Sequence, residues 1–160
     1  CISRRSSAAY EKPLQLKGEG NMKDQKCAYC VEGEFLAPFG LKICELDNAL
    51  VYLFKEQSHK GRCIVATKSH VPDITQLSDE ERNGYFADMA KVVAAIQKAF
   101  SPDKVNIGAY GDTAGHTHFH LVPKYKDGFE WTQVFAMNPE KVFLSDEEYD
   151  EVISKIKANL

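Results

Sequence analysis

The run Gly115-His116-Thr117-His118-Phe119-His120-Leu121-Val122-Pro123 constrains this chain more than any other stretch. Apolar side chains alternate with imidazoles along most of it, the pattern of a strand whose successive side chains point to opposite faces. Read as a strand from His116 to Val122, it sets His116, His118 and His120 on one face, each ~6.6 Å from the next. Thr117, Phe119 and Leu121 share the other face, which suits a core. The chain therefore needs a sheet with one face covered and the imidazoles presented on the opposite one. Neutral imidazole is both a good nucleophile and a good metal ligand near neutral pH, so two chemistries are open to that face. An artificial tag would sit at a terminus, and a strand face made of imidazoles is improbable by chance with five histidines in 160 residues.

The rest of the chain supplies such a sheet and its cover. Leu41 to Glu45 and Ala49 to Phe54 flank Asp47-Asn48 and predict a β-hairpin, and Gly61 to Ala66 predicts a third strand. Ser78-Asp-Glu-Glu81 is a capping box, in which the serine hydroxyl and the glutamate carboxylate satisfy each other's free backbone N–H groups. The helix it opens carries Phe86, Met89, Val92, Val93, Ile96 and Phe100 at three- and four-residue spacings, one apolar face. Lys104 to Ile107 predicts a fourth strand, and the histidine run is the fifth. Ser145-Asp-Glu-Glu148 repeats the capping box before Val152, Ile153, Ile156 and Leu160, a second amphipathic helix. The hairpin strands are too closely joined to be parallel, so the class is α+β: an antiparallel five-stranded sheet packed with a long central helix and a C-terminal helix.

Residues 1–21 are polar and show neither period, which reads as a leader added in cloning or an extension that does not shape the fold. Residues 22–160 then form a single domain. The formal charge of −3 gives no electrostatic reason to expect nucleic acid or an anionic membrane as partner, but leaves room for a small anionic substrate. No apolar run approaches the ~18 residues of a membrane span. The cysteines are Cys1, Cys27, Cys30, Cys44 and Cys63; an odd count with one tight Cys-x-x-Cys pair points to a reducing compartment, by default the cytoplasm. Cys27-Ala-Tyr-Cys30 is half a zinc site by spacing, whereas redox use would want a βαβ turn that this region does not show. Cys44 and Cys63 read as core residues, and His59, beside Lys60-Gly61, as a solvated loop residue.

With its histidines in the order His116-Thr117-His118-Phe119-His120-Leu121-Val122, the chain resembles the histidine triad (HIT) family of nucleotidyl hydrolases and transferases, whose motif is His-φ-His-φ-His-φ-φ with φ apolar. Thr117 is the one imperfect φ position. The resemblance covers about residues 27 to 124. It implies that His118 is the nucleophile that attacks the α-phosphorus, that the nucleotidyl-histidine is then hydrolysed, and that His120 contacts the phosphate oxygens. It also implies a nucleotide substrate and a homodimer. The Gly111-Asp112-Thr113-Ala114-Gly115 turn can offer backbone N–H groups to developing charge on the phosphoryl oxygens. Family members usually carry Gln six residues before the nucleophile and Ser or Thr five before; here these are Asp112 and Thr113. Thr113 keeps a hydroxyl for the leaving group, whereas Asp112 would repel an anionic phosphate unless paired or protonated, and otherwise serves to orient a histidine or to favour a different leaving group. The family's ribose-binding acid is absent from the second strand, with Phe54 and Lys55 near that place, and Asn106 corresponds to an Asn that helps line the phosphate site.

Zinc-bearing members, of a bacterial-type branch, and the related hexose-1-phosphate uridylyltransferases take one ligand from the first triad histidine and another from an upstream histidine. By that resemblance Cys27, Cys30, His70 and His116 form the zinc site, and a closed Cys₂His₂ shell implies a structural ion. The leading expectation is a hydrolase of nucleoside phosphoramidates or dinucleoside polyphosphates. Two alternatives stand beside it: a metallohydrolase with His116, His118 and His120 on a catalytic ion, and a nucleotide-binding module without turnover. A transferase is a further option, but 160 residues leave little room for a second sugar-nucleotide site.

Overall fold

The computed structural model describes residues 23–160; the segment read as a leader lies outside the described residues. Two short helices, α1 (Ala28–Val31) and α2 (Gly33–Leu36), precede the hairpin of β1 (Gly40–Glu45) and β2 (Ala49–Phe54). β3 (Cys63–Thr67), a 3₁₀ turn at Ile74–Gln76 and the long helix α3 (Asp79–Phe100) follow, then β4 (Lys104–Gly108), β5 (His118–Lys124) and α4 (Asp146–Lys157). The five strands form one sheet in the order β1-β2-β3-β5-β4 with every neighbouring pair antiparallel, the α+β architecture expected from the sequence.

Strand alternation divides the side chains between two faces. Val51 and Leu53 of β2, Cys63 and Val65 of β3 and Leu121 of β5 meet Tyr85, Met89, Val92 and Ile96 of α3 and Tyr149, Val152 and Ile156 of α4 in the main core. Each large apolar side chain buried there contributes about 1.5–3 kcal/mol. Tyr52, Phe54, Ile64 and Ala66 point the other way and pack with Tyr29 of α1 and Leu36 of α2. In register, Ala66 stands opposite His118 and Ile64 opposite His120, so both histidines belong to this second face. Both capping boxes are formed, Ser78 with Glu81 and Ser145 with Glu148, which fixes where each helix starts.

Two strands, β3 and β5, start two residues later than the sequence reading placed them. β3 begins at Cys63 because Gly61 takes φ +88° and the Arg62 N–H donates to the His59 carbonyl at 2.9 Å, a turn that precedes the ladder. β5 begins at His118 and runs to Lys124, because the Thr117 N–H leaves the ladder for the Val71 carbonyl at 2.7 Å. His116 is thereby held just before the strand. Leu160 lies beyond the end of α4 and is exposed, so the apolar face of that helix is Tyr149, Val152, Ile153 and Ile156. Among the described residues no helix is long and apolar enough to cross a membrane.

The hairpin docks on α3 through Asp88, a side chain 1% exposed. Its carboxylate accepts from the Asn48 backbone N–H at 2.7 Å and from Lys91 at 2.7 Å. Gly84 lets the Asn48 side chain lie against the helix, since a Cβ there would come within 2.5 Å of it. Burial alone would raise the Asp88 pKa, but these donors outweigh it and hold the carboxyl below its usual range. A depressed folded-state pKa stabilises the fold above the unfolded value of ~3.9, and that stability is lost as pH falls through the folded value. Asp88→Ala is expected to cost about 1–3 kcal/mol at pH 7, read by urea unfolding, with the deficit shrinking below pH ~4. A deficit that is the same at pH 7 and pH 3 would exclude the ionised carboxylate as its source.

Candidate functional site

The second face of the sheet carries a cavity of about 740 Å³, lined by His118 and His120 at the end of the sheet where β5 begins. Tyr29, Phe39, Phe54 and Ile64 line it from α1 and the sheet side, and Tyr110, Phe135 and Met137 from the segments after β4 and β5. Asp112, Thr113, Ala114 and Gly115, in the turn before β5, complete the rim. Gly111 is exposed in the same turn but does not line the cavity. Asn106, opposite Val122 on β4, lies on the histidine face but is likewise outside the cavity wall.

His118 is buried, with its Nδ1 2.8 Å from the backbone carbonyl of His116. A carbonyl can only accept, so Nδ1 carries the proton and donates, and Nε2 is left with the lone pair. The ring lies 4.9 Å from that of Tyr29 and 5.4 Å from that of His120. Burial lowers its pKa below the ordinary histidine value, so the ring is neutral at neutral pH. His120 is buried against the edge of Phe54, ring centres 5.7 Å apart, and its Nδ1 lies 3.3 Å from Nη2 of Arg62. Burial first, then the nearby charges of Arg62 and His118, push its pKa down to about 3.

His116 faces elsewhere. Its Nε2 lies 2.8 Å from the Thr67 carbonyl and donates to it, so the lone pair is on Nδ1. Nδ1 is 3.4 Å from Cys27 Sγ and 3.5 Å from Cys30 Sγ, and His70 Nδ1 is 3.4 Å from Cys30 Sγ. The four ligand atoms of Cys27, Cys30, His70 and His116 all lie within 4.8 Å of one another. Zinc bonds of ~2.0–2.3 Å at tetrahedral angles separate ligand atoms by roughly 3.3–3.8 Å, so the donor set and its spacing fit one tetrahedral ion. Asp24, with Oδ2 3.8 Å from His70 Nε2, stands where a carboxylate would orient that ring. Among the described residues this is the one cluster able to hold a metal, and neither His118 nor His120 joins it. The three histidines thus split between two tasks, the first toward the sulfurs and the other two toward the cavity.

Three residues that the sequence reading passed over shape the site. Arg62 is fully buried beneath it. Phe135 comes from the irregular segment between β5 and α4, its ring 6.2 Å from that of His120. Tyr29 spans both tasks, its ring 5.2 Å from that of His116 and 4.9 Å from that of His118. The available sign of Arg62 is a lone charge inside the apolar run Gly61-Arg-Cys63-Ile-Val-Ala66. His59 is a correction: far from being solvated, it is 3% exposed, because Glu130 reaches its Nε2 at 2.9 Å and Phe129 packs 5.2 Å away.

Comparison with known proteins gives this arrangement a family. The family model described as HIT domain matches residues 40–127. Adenosine 5'-monophosphoramidase hnt1 of Schizosaccharomyces pombe is 29% identical over 142 residues, covering 82% of this chain and 98% of that protein. Bis(5'-nucleosyl)-tetraphosphatase [asymmetrical] of the same organism is 30% identical over 86 residues, 51% of this chain and 47% of that protein. A histidine triad protein of Sinorhizobium meliloti shares the fold at a TM-score of 0.73 and 20% identity, over 80% of this chain and 95% of that one. A Zn-bound histidine triad family protein of Mycobacterium smegmatis does so at a TM-score of 0.57 and 22% identity, over 74% and 85%. The matched stretch is more than half of the chain and runs from β1 through the three histidines, so the chain belongs to the HIT domain family.

Proposed function

We propose that this HIT protein is a hydrolase that cleaves a nucleoside phosphoramidate or a dinucleoside polyphosphate through a covalent nucleotidyl-histidine on His118. The observation that carries the reading is the 2.8 Å bond from His118 Nδ1–H to the His116 carbonyl, which aims the free Nε2 lone pair away from the backbone, on a ring that lines the cavity. Nε2 attacks the α-phosphorus, forming an N–P bond. The P–N bond to the amine, or the P–O bond to the polyphosphate, breaks and its electron pair leaves with the departing group. Water then attacks the same phosphorus, the N–P bond to His118 breaks, and the nucleoside monophosphate is released. His120 contacts the phosphoryl oxygens and the Thr113 hydroxyl donates toward the leaving group, with Asp112 also on the rim. The family and the activities named for the two fission-yeast relatives support this class of substrate.

We further assign a structural zinc to Cys27, Cys30, His70 and His116, which puts the chain in the zinc-bearing, bacterial-type branch of the family. Two thiolates and two imidazoles would fill a tetrahedral shell around the ion, which would supply a cross-link and leave no open position for substrate. His116 also provides the carbonyl that orients His118, so the same residue serves both the cross-link and the nucleophile. A homodimer is in keeping with β4 ending the sheet, with Ile107 half exposed on it.

Replacing His118 by Ala should lower turnover of adenosine phosphoramidate or diadenosine polyphosphates by several orders of magnitude and abolish the trapped phospho-histidine, with the fold and most nucleotide affinity retained. Near-normal turnover by His118→Ala would refute the assignment. Purified protein should hold about one zinc per chain, with Zn–S near ~2.3 Å and Zn–N near ~2.0–2.1 Å by X-ray absorption. Cys27→Ala or Cys30→Ala should loosen the metal and lower the melting temperature, because binding energy at a structural site is also folding energy. Metal content that is unchanged in both cysteine variants would place the ion elsewhere.

A further inference from the structure

Arg62 is fully buried, and a buried cation is costly unless every part of its surroundings is arranged for it. Its guanidinium lies over the Phe54 ring, 4.2 Å from the centroid, and 5.0 Å from that of Phe135. Nη1 donates to the Ala136 carbonyl at 3.2 Å, while Nη2 is 3.3 Å from His120 Nδ1 and 3.3 Å from Met137 Sδ. Nε has no hydrogen-bond partner among the described residues. Burial lowers the guanidinium pKa to about 10 against the opposing fields of Glu56, Glu130 and Tyr110, so the group remains charged at neutral pH. An apolar side chain would fill the slot between two aromatic rings without any of these costs. The contact that an apolar side chain could not reproduce at the site is the one to His120.

A guanidinium has five N–H donors and no acceptor. The nitrogen of His120 facing it must therefore be the acceptor, and the proton of the neutral ring must sit on Nε2. We infer that Arg62 is a positioning residue that locks His120 in its Nε2–H tautomer, so that the third histidine offers the cavity a hydrogen-bond donor while His118 beside it offers a lone pair. The two rings, 5.4 Å apart, are fixed in opposite tautomers by opposite partners: a carbonyl behind His118 and a cation behind His120. A donor is what a phosphoryl oxygen gaining charge requires, whereas a second lone pair there would repel it. That identity of the acceptor rests on the phosphoryl-transfer reading above; the tautomer itself does not.

The two parts can be tested separately in the full-length protein as purified. Long-range ¹H–¹⁵N correlation of histidine-labelled protein at pH 7, with His120 assigned through a His120→Gln sample, should show a protonated Nε2 and a bare Nδ1 on His120, and the reverse on His118. In Arg62→Met, similar in length but without donors, the His120 ring should lose that fixed pattern while His118 keeps its own. Arg62→Lys, which retains charge and a donor, should restore it in part. On a nucleotide substrate Arg62→Met should lose kcat, up to the ~10²–10³-fold that follows removal of an oxyanion donor, with KM changed far less. A wild-type His120 with its proton on Nδ1 overturns the inference, and this outcome can be read even if Arg62→Met fails to fold. An Arg62→Met protein that folds with the His120 pattern unchanged overturns it as well. If the tautomers are as stated and Arg62→Met releases His120, yet wild type turns over no nucleotide, the positioning role stands and the phosphoryl-transfer reading falls.

Discussion

The hydrogen bond from His118 to the carbonyl of the residue two places before it sets the terms for the rest of the site. An imidazole can only aim one lone pair at a substrate if its other nitrogen is held as a donor, and a backbone carbonyl is the least movable acceptor available. That carbonyl is itself fixed from several sides. His116 donates to the Thr67 carbonyl on β3, and Thr117 is tied to Val71 through both its N–H and its hydroxyl. The departure of Thr117 from the ladder, which shortens β5 at its start, is the same feature that turns His116 toward the cysteines. A straight strand from His116 onward would have lined all three imidazoles along one surface and left no acceptor behind His118.

Burial then decides the protonation of the set. His116, His118 and His120 each have pKa values lowered chiefly by removal from water, and none is charged near neutral pH. Three adjacent cations would repel one another, so neutrality is a condition for packing them together as well as for nucleophilic attack. The aromatic neighbours Tyr29 and Phe54 supply the low-dielectric walls, and hydrogen bonds made inside such walls are stronger than the same bonds in water.

The parts of this arrangement that were legible in the sequence are those carried by local period or by short-range chemistry. The alternation from His116 to Val122 predicted a strand with two faces, which the fold keeps from His118 onward and loses at His116; Asp47-Asn48 marked the hairpin, and both capping boxes marked the helix starts to the residue. Spacing alone singled out Cys27 and Cys30, while their meeting with His70 and His116 followed from family resemblance and is seen as proximity in the fold. What was not legible depends on contacts between distant segments. A charged residue or a histidine beside a turn is ordinarily exposed, so Arg62 and His59 carried no local sign of burial beyond the apolar run that follows Arg62. Asp88 escaped for the same reason: its partner is the backbone N–H of Asn48, in the hairpin turn and distant in sequence.

The burial of Arg62 and of His59 traces to the stretch between β5 and α4, which has no strand or helix period and so no regular ladder for its amide groups. Backbone groups left without a ladder take side-chain partners, and ionised ones bond most strongly. Lys124 donates to the carbonyls of Glu130 at 2.6 Å and Gln133 at 2.8 Å, and the Glu130 carboxylate accepts from the Ala136 N–H at 3.0 Å. Glu56, buried at the far end, accepts from the N–H groups of Lys141 and Val142, each at 3.2 Å. Together these ties pin the segment on either side of Phe135, Met137 and Asn138, the three residues it contributes to the cavity, and set the Ala136 carbonyl against Arg62. Charges that never reach the cavity therefore determine its wall, and through Arg62 they reach the third histidine as well.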